Sequence, residues 1–327
     1  MDQQNENKEF KEFLEKYKEH WDKFFEEWSK GESHQKKLLK NDKIWSDENR
    51  KGKVWKTNDG KEKSTLLEYD VLPQPYLGNI ENHSVITLNL NPSRSKKNNE
   101  NIEFEKNYLP KFKEAENYHE YAERFPTYDT HPFWQKQDDW IDSIFEKLGK
   151  DAPSENKIKP FAIEICPWGS KSFQKLKIKK DDPLIKYMDL HVFDVIEKVI
   201  ENSKLKIVLS VGKAYYDIFQ KSEFKKVEEI SSKPFQKEVF KFSNDKYKTH
   251  LDLTHLDLSP SENNKLKEKI PKIPYNWPIK FVQRSFSIWE KDGIFYFNTY
   301  ASGSNSTPGV HFDEIQNQLI NKYLNKP

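Results

Sequence analysis

Apolar positions along this chain fall into two periods. Over residues 7–30, Phe10, Phe13, Leu14, Tyr17, Trp21, Phe24, Phe25 and Trp28 recur at the spacing of one helix face, and Gly31 supplies the stop. Such a stripe reads as a face that docks on the body of the protein. The polar, Lys-rich stretch that follows, 31–68, reads as an irregular connection. Three short runs then change character: SVITLNL at 84–90, FAIEIC at 161–166 and KIVLSV at 206–211. Each is apolar and rich in β-branched residues, and each ends at a Pro or Gly, namely Pro92, Pro167 and Gly212. They read as buried strands. Helical spacing returns between them, over 136–148 up to Gly149, and over 184–202 with Leu184, Met188, Val192, Val195, Ile196 and Val199 on one side.

Strands that alternate with helices predict an α/β fold, a parallel sheet covered on both faces. Segments 279–289 and 293–300 flank Lys291-Asp292-Gly293 and predict a hairpin. A last helix is predicted over 311–324, with Phe312, Ile315, Leu319 and Tyr323. The division expected is a helical N-terminal extension, 1–65, and an α/β domain, 66–327.

Composition narrows the classes. Only 35% of residues are hydrophobic, but 22 Phe, 15 Tyr and 9 Trp bury large areas each, so a sizeable core is feasible. The 55 Lys and Arg nearly balance 53 Asp and Glu, which excludes a uniformly basic nucleic-acid binder and leaves room for a local basic groove. The single cysteine, Cys166, excludes an internal disulfide and a cysteine-rich zinc site; inside its apolar run it reads as a small buried hydrophobe. The opening residues MDQQNENKEF have no apolar core of a secretion signal. No run approaches the ~18 apolar residues of a membrane span. A soluble, cytoplasmic protein without membrane contact is expected.

In an open α/β sheet, ligands bind beyond the carboxyl ends of the strands. Four such ends carry unusual residues. The first is Asn89-Leu90-Asn91-Pro92-Ser93, a tight polar loop or an Asx-type turn. The second, Glu164-Ile165-Cys166-Pro167-Trp168-Gly169-Ser170, sets a carboxylate within an apolar strand, where it must be solvated, paired with a lysine or functional. The third, Val211-Gly212-Lys213-Ala214, suits close strand-to-helix packing. The fourth, 300–309, is a small-residue loop whose main-chain N–H groups can approach a phosphate backbone, or a plain surface loop.

In this order the four segments resemble the uracil-DNA glycosylase superfamily, most nearly its single-strand-selective monofunctional members and their bacterial relatives. The resemblance covers roughly residues 70–327, and Leu77-Gly78-Asn79 also looks like the bacterial relatives. It implies a three-layer α/β/α sandwich around a mostly parallel sheet. The family's Gly-x-Asn-Pro-Gly falls on Asn89 to Ser93, which places the catalytic, water-holding asparagine at Asn91, with Pro92 and Ser93 beside the base. Its Asn-x-Cys-Pro falls on Glu164 to Pro167, so Glu164 takes the position that reads the base edge. Its Val-Gly strand end falls on Val211-Gly212. Its His-Pro-Ser-Pro falls on Tyr300-Ala301-Ser302-Gly303, with Ser304 and Asn305 in the wedge region. That last segment lacks the family's histidine and prolines, and Tyr300 is the candidate hydroxyl donor in their place.

The substitutions point to a particular base. Asparagine both donates and accepts, as uracil requires, whereas a glutamate carboxylate only accepts and suits the N4 amino group of cytosine. That inference takes Glu164 as ionised. The family's uracil enzymes exclude 5-substituted pyrimidines with a tyrosine where this chain has Ser93, so room is expected at C5. The resemblance therefore implies a monofunctional glycosylase that flips out and excises a hydroxymethylated or glucosylated cytosine, as in modified phage DNA, in antiviral defence. The alternatives are a repair glycosylase for uracil or another deaminated base, and a catalytically inert DNA-binding relative. No cofactor or metal is called for, and no lysine maps to the motifs for strand cleavage.

Arg94, Ser170, Lys171, Ser302, Ser304 and Asn305 are the candidate DNA contacts, with Ser95, Lys96, Lys97, Lys175, Lys177, Lys179 and Lys180 as further groove candidates or solvated surface. Phe104, Tyr108, Tyr128 and Phe133 are alternative stacking partners for a flipped base. The repeat Thr249-His250-Leu251-Asp252-Leu253 and Thr254-His255-Leu256-Asp257-Leu258 tempts a metal reading, but residues five apart on a strand point to opposite faces.

Overall fold

The computed structural model describes residues 3–42, 44–45, 54–56, 62–64, 67–69, 71–90, 110, 112–124, 132–153, 158–170, 183–231, 284–301 and 322–323. The chain opens with α1 (Gln3–Ser29) and α2 (Glu32–Asn41), separated at Gly31. Strands β1 (Val54–Lys56) and β2 (Glu62–Ser64) pair with each other. So the stretch expected to be an irregular connection contains a helix and a small ribbon. The reason it escaped a reading by period is that Leu39 is the one buried residue of α2, and polar or charged residues fill the rest of that helix apart from Leu38.

The remaining elements are β3 (Leu67–Glu68), β4 (Tyr76–Leu77), β5 (Ile86–Asn89), α3 (Tyr118–Arg124), α4 (Pro132–Lys147), β6 (Phe161–Glu164) and β7 (Gly169–Ser170). After them come α5 (Pro183–Met188), α6 (Asp194–Val199), β8 (Ile207–Val211), α7 (Lys213–Lys221), β9 (Lys225–Ser231), β10 (Arg284–Lys291) and β11 (Ile294–Ala301). Helices α5 and α6 are one rod, joined by a π-type turn over Asp189–Phe193 and extended by a 3-10 turn to Asn202. This is the helix expected over 184–202.

The main sheet has seven strands in the order β4-β6-β5-β8-β11-β10-β9. The α/β class holds. Parallel pairing is confined to the four central strands β6, β5, β8 and β11. The pairs β4·β6, β11·β10 and β10·β9 are antiparallel, which corrects the expectation of a mostly parallel sheet. Two of the strands that bring the antiparallel pairs, β4 and β9, lacked a signal: β4 is two residues long, and β9 mixes lysine and glutamate with its apolar residues.

The hairpin of β10 and β11 turns at Asp292 and Gly293, both with positive φ (54° and 78°). That is the backbone of a two-residue turn whose twist matches the flanking strands, and glycine and aspartate tolerate it best. Of the expected C-terminal helix, 322–323 are described and helical, and Tyr323 packs on Phe295.

Helices cover both faces of the sheet. Trp140, Ile141, Ile144 and Phe145 of α4 pack with Ile207, Leu209, Val211 and Phe297 on one side. The larger cluster on the other side joins α1, α3, α5, α6 and α7 to Ile86, Leu88, Ile163, Val208 and Tyr296. The α1 stripe is buried there, through Leu14, Tyr17, Trp21, Phe25 and Trp28. Phe25 stacks on Tyr118 with ring centroids 4.0 Å apart, and Phe24 meets Trp168 edge-on at 5.5 Å. Helix α1 is therefore part of the main core, as its docking stripe predicts. Phe25→Ala is expected to lower the free energy of unfolding by about 3–5 kcal/mol. Denaturant titration checks this, and a loss below about 1 kcal/mol would mean that α1 does not belong to the cooperative unit.

Candidate functional site

Because β6, β5, β8 and β11 run parallel, their carboxyl ends lie along one edge of the sheet. These are the four strands whose ends carry the unusual residues. The chain passes from β5 to β6 on one side and then returns across β5 to β8 on the other. The crevice between β5 and β8 is thus a topological switch point, where ligands of open α/β sheets bind. Gly212 closes β8 with φ +118°, and a Cβ there would stand 3.2 Å from Leu90 Cδ1. The positive backbone angle favours glycine, and any side chain there would also press on Leu90 at the first strand end.

Asn89 and Glu164 are the last residues of β5 and β6 and lie opposite each other in register. Parallel neighbours in register present their side chains on one face. Both are buried, at 2% and 5% relative exposure. The two chains remain paired past the strands: Ile165 N–H donates to Asn89 O at 3.0 Å, and Cys166 N–H donates to Leu90 O at 3.1 Å. Cys166 is itself buried, as expected.

Two residues that no sequence motif singled out complete the cluster. Gln137, from α4, is fully buried and donates through Nε2 to Asn89 Oδ1 at 3.0 Å. Tyr215, from α7, donates its hydroxyl to the Asn89 carbonyl oxygen. A signal for Gln137 was present in the sequence: Trp134, Gln137, Ile141 and Ile144 fall at helical spacing, so a polar residue stands on a buried face. Three atoms of the cluster have no hydrogen-bond partner among the described residues: Asn89 Nδ2, Gln137 Oε1 and Glu164 Oε2. Buried polar atoms are rarely left so, and each unpaired one costs roughly 1–3 kcal/mol.

Burial raises the Glu164 carboxyl to about 8, and the neighbouring Asn89 side chain offsets part of that rise. The offset shows that the Asn89 amide lies near the carboxyl, yet its Nδ2 closes no bond of ordinary geometry there. No lysine or arginine among the described residues pairs with Glu164, so the ion-pair reading of this residue has no support there. At neutral pH the carboxyl is mostly protonated, which corrects the premise that it is an ionised acceptor. It both donates and accepts.

Tyr300 lies in β11, two strands from Asn89 with β8 between them, or about 10 Å at ordinary strand spacing. Ser170 lies in β7, paired with Leu67 of β3. Asn91, Pro92, Ser93, Arg94, Lys171, Ser302, Ser304 and Asn305 fall outside the described residues. So do the further groove lysines, the candidate aromatics Phe104, Tyr108 and Tyr128, the side chain of Phe133, and the Thr-His-Leu-Asp-Leu repeat. Among the described residues, no group of three or more His, Cys, Asp or Glu is placed to hold a metal ion, and no helix is long and apolar enough to cross a membrane. No family model matches this chain, and no curated protein or solved structure is significantly similar to it.

The raised carboxyl has a measurable consequence. The folded protein holds the Glu164 proton up to about pH 8, whereas the unfolded chain releases it near 4.5. Between those values the folded state binds more protons, so this group lowers stability as pH rises through the window. Glu164→Gln keeps a neutral donor and acceptor and is expected to gain stability on the parent protein by a few kcal/mol between pH 5 and pH 9. Equal differences at the two pH values, measured by denaturant unfolding, would show that Glu164 is not a buried neutral acid.

Proposed function

We propose that the chain is a monofunctional DNA glycosylase that extrudes a 5-substituted cytosine, hydroxymethylated or glucosylated, and hydrolyses its N-glycosidic bond. The observation that carries this reading is the buried pair Asn89 and Glu164, incompletely bonded among the described residues, at adjacent parallel strand ends, where the family resemblance expects the base to be read. A neutral carboxyl suits the cytosine edge better than a carboxylate does. Its carbonyl oxygen accepts from the N4 amino group, and its hydroxyl donates to N3. A carboxylate would set a second acceptor against the N3 lone pair.

In the reaction, water held by Asn91, two residues past Asn89, attacks C1′ of the extruded nucleotide. The bond from C1′ to N1 breaks, and its electron pair leaves with the base, spread over N1 and O2. Donors at the site stabilise that charge, Tyr300 being one candidate. The water gives up a proton, the base takes one, and the products are free base and an abasic site. The step needs neither a metal nor another cofactor. DNA is the partner this reaction requires, and modified phage DNA is the substrate that fits room at C5. Defence against such DNA in the cytoplasm is the role in which the activity has a use.

The protonated state of Glu164 also favours a second reading. With the proton on its other oxygen, the same carboxyl donates to O4 and accepts from N3–H of uracil. A repair glycosylase for uracil is therefore compatible with the cluster. The two readings separate in one experiment: duplex and single-stranded DNA carrying hydroxymethylcytosine, its glucosylated form, uracil or unmodified cytosine is incubated with the protein and then treated with alkali. Cleavage at the modified cytosines is expected, with none at cytosine. Cleavage at uracil alone would favour the repair enzyme, and no cleavage on any substrate would overturn both.

Asn91→Ala is expected to lower the rate of base release at least a hundredfold with DNA binding retained, and single-turnover kinetics beside a binding titration measure the two separately. The pH profile has a predicted sign. Because Glu164 ionises near 8, kcat/KM on the cytosine-type substrate falls as pH rises through that value. Glu164→Gln loses that limb of the profile.

A further inference from the structure

The bond from Gln137 to Asn89 has a direction. Nε2 of Gln137 occupies the carbonyl end of the Asn89 amide, 3.0 Å away, so the amino end, Nδ2, is what remains to be offered. Among the described residues Nδ2 closes no hydrogen bond of ordinary geometry, and neither does Gln137 Oε1. A fully buried glutamine on an otherwise apolar helix face that bonds, among the described residues, through only one of its two polar atoms is poorly explained as packing. An apolar side chain of the same length would fill the space without bringing Oε1 into it, but would take the donor away from Asn89 Oδ1.

We infer that Gln137 is a positioning residue that sets the site's specificity: it holds the Asn89 amide with its amino end towards the ligand, so that the site requires a carbonyl oxygen beside the edge read by Glu164. The inference rests on the glycosylase reading above. Its consequence follows from the order of groups around a base. In cytosine and in uracil alike, a neutral carboxyl spans N3 and the 4-substituent, and the next group along the edge is O2, an acceptor that the Asn89 amino end can meet. The purines fail the same test. With the carboxyl on O6 and N1–H of guanine, the next group is an amino donor, which opposes a donor. With the carboxyl on N6 and N1 of adenine, the next group is C2–H, which leaves Nδ2 unpaired. An Asn89 free to turn over would lose this discrimination by offering Oδ1 instead. Gln137 thereby selects pyrimidines that keep the 2-carbonyl.

Two measurements test this. In the first, Gln137→Met is made in the parent protein and in Asn89→Ala, and base release is followed on whichever pyrimidine substrate the parent cleaves. Gln137→Met alone is expected to raise KM about tenfold with kcat within about threefold, and to add less than twofold in the Asn89→Ala background, because it acts through that amide. A full tenfold effect in both backgrounds, or no effect in either, overturns the proposal. In the second measurement the unaltered protein is given the same substrate with its 2-carbonyl oxygen replaced by sulfur, a weaker acceptor. At least a tenfold loss of kcat/KM is expected, and equal turnover overturns the proposal however the variants fold. If the parent protein releases no base from any substrate, the glycosylase reading falls and this inference with it. Activity in the parent with neither effect refutes the role of Gln137 alone.

Discussion

Placing a carboxyl where water cannot reach it and no cation answers it leaves the group one stable state at neutral pH, the protonated one. Among the described residues, Glu164 is in that position. The constraint comes from where it sits: the last residue of β6, second from the edge of the main sheet, with Asn89 on the neighbouring strand and α4 over the same face. Much of the local architecture bears on this point. Pro75 O takes the backbone N–H of Glu164 and Pro167 O takes that of Gln74, so the chain closes around the end of the strand. Asn89 is held from two layers at once, by Gln137 from α4 through its side chain and by Tyr215 from α7 through its carbonyl. Groups braced in this way keep their orientation before a ligand arrives, which is what a site that reads hydrogen-bond polarity needs.

The N-terminal helices belong to the same construction. Trp168, two residues past the second motif's Cys166, is buried under Phe24 of α1, and its indole N–H donates to Asp42 just after α2, at 3.3 Å. The segment that leaves β6 is therefore packed by residues outside the α/β domain expected from the sequence. An extension that in sequence looks like an addition acts in the fold as the wall behind one strand end. The π-type turn of the α5–α6 rod lies against the same helix, with His191 and His20 ring centroids 5.7 Å apart.

What could be read in the sequence was whatever one local rule determines. Buried parallel strands show as apolar β-branched runs, so β5, β6 and β8 were visible, and Asp292-Gly293 marked its hairpin because few residues accept positive φ. The docking stripe of α1 was visible for the same reason, having a single period over many residues. Strands that depend on a neighbour were not: β4 is too short to carry a pattern, and β9 carries charge along an outer strand. At the site, Asn89 and Glu164 were legible as polar residues closing apolar strands. The protonation state of Glu164 was not, because it depends on which groups pack over it rather than on its own neighbours in the chain. Gln137 was missed although its place on an apolar face was in view, since its partner stands 48 positions away.

A division of labour follows from the chemistry of the pyrimidine ring. In the proposed enzyme, Asn89, held by Gln137, and Glu164 address O2, N3 and the 4-substituent, which lie on one edge. The 5-position lies beyond that edge and offers no hydrogen bond when it carries only hydrogen, so these three groups cannot tell a modified cytosine from an ordinary one. Discrimination there has to come from space and from what lines it. In the proposed enzyme that task falls to the segment just after Asn91, where a small Ser93 stands in place of the bulky residue that rejects 5-substituents in uracil enzymes. Protecting unmodified DNA then requires that the 5-substituent add binding energy of its own, because a roomy site by itself would admit cytosine as well.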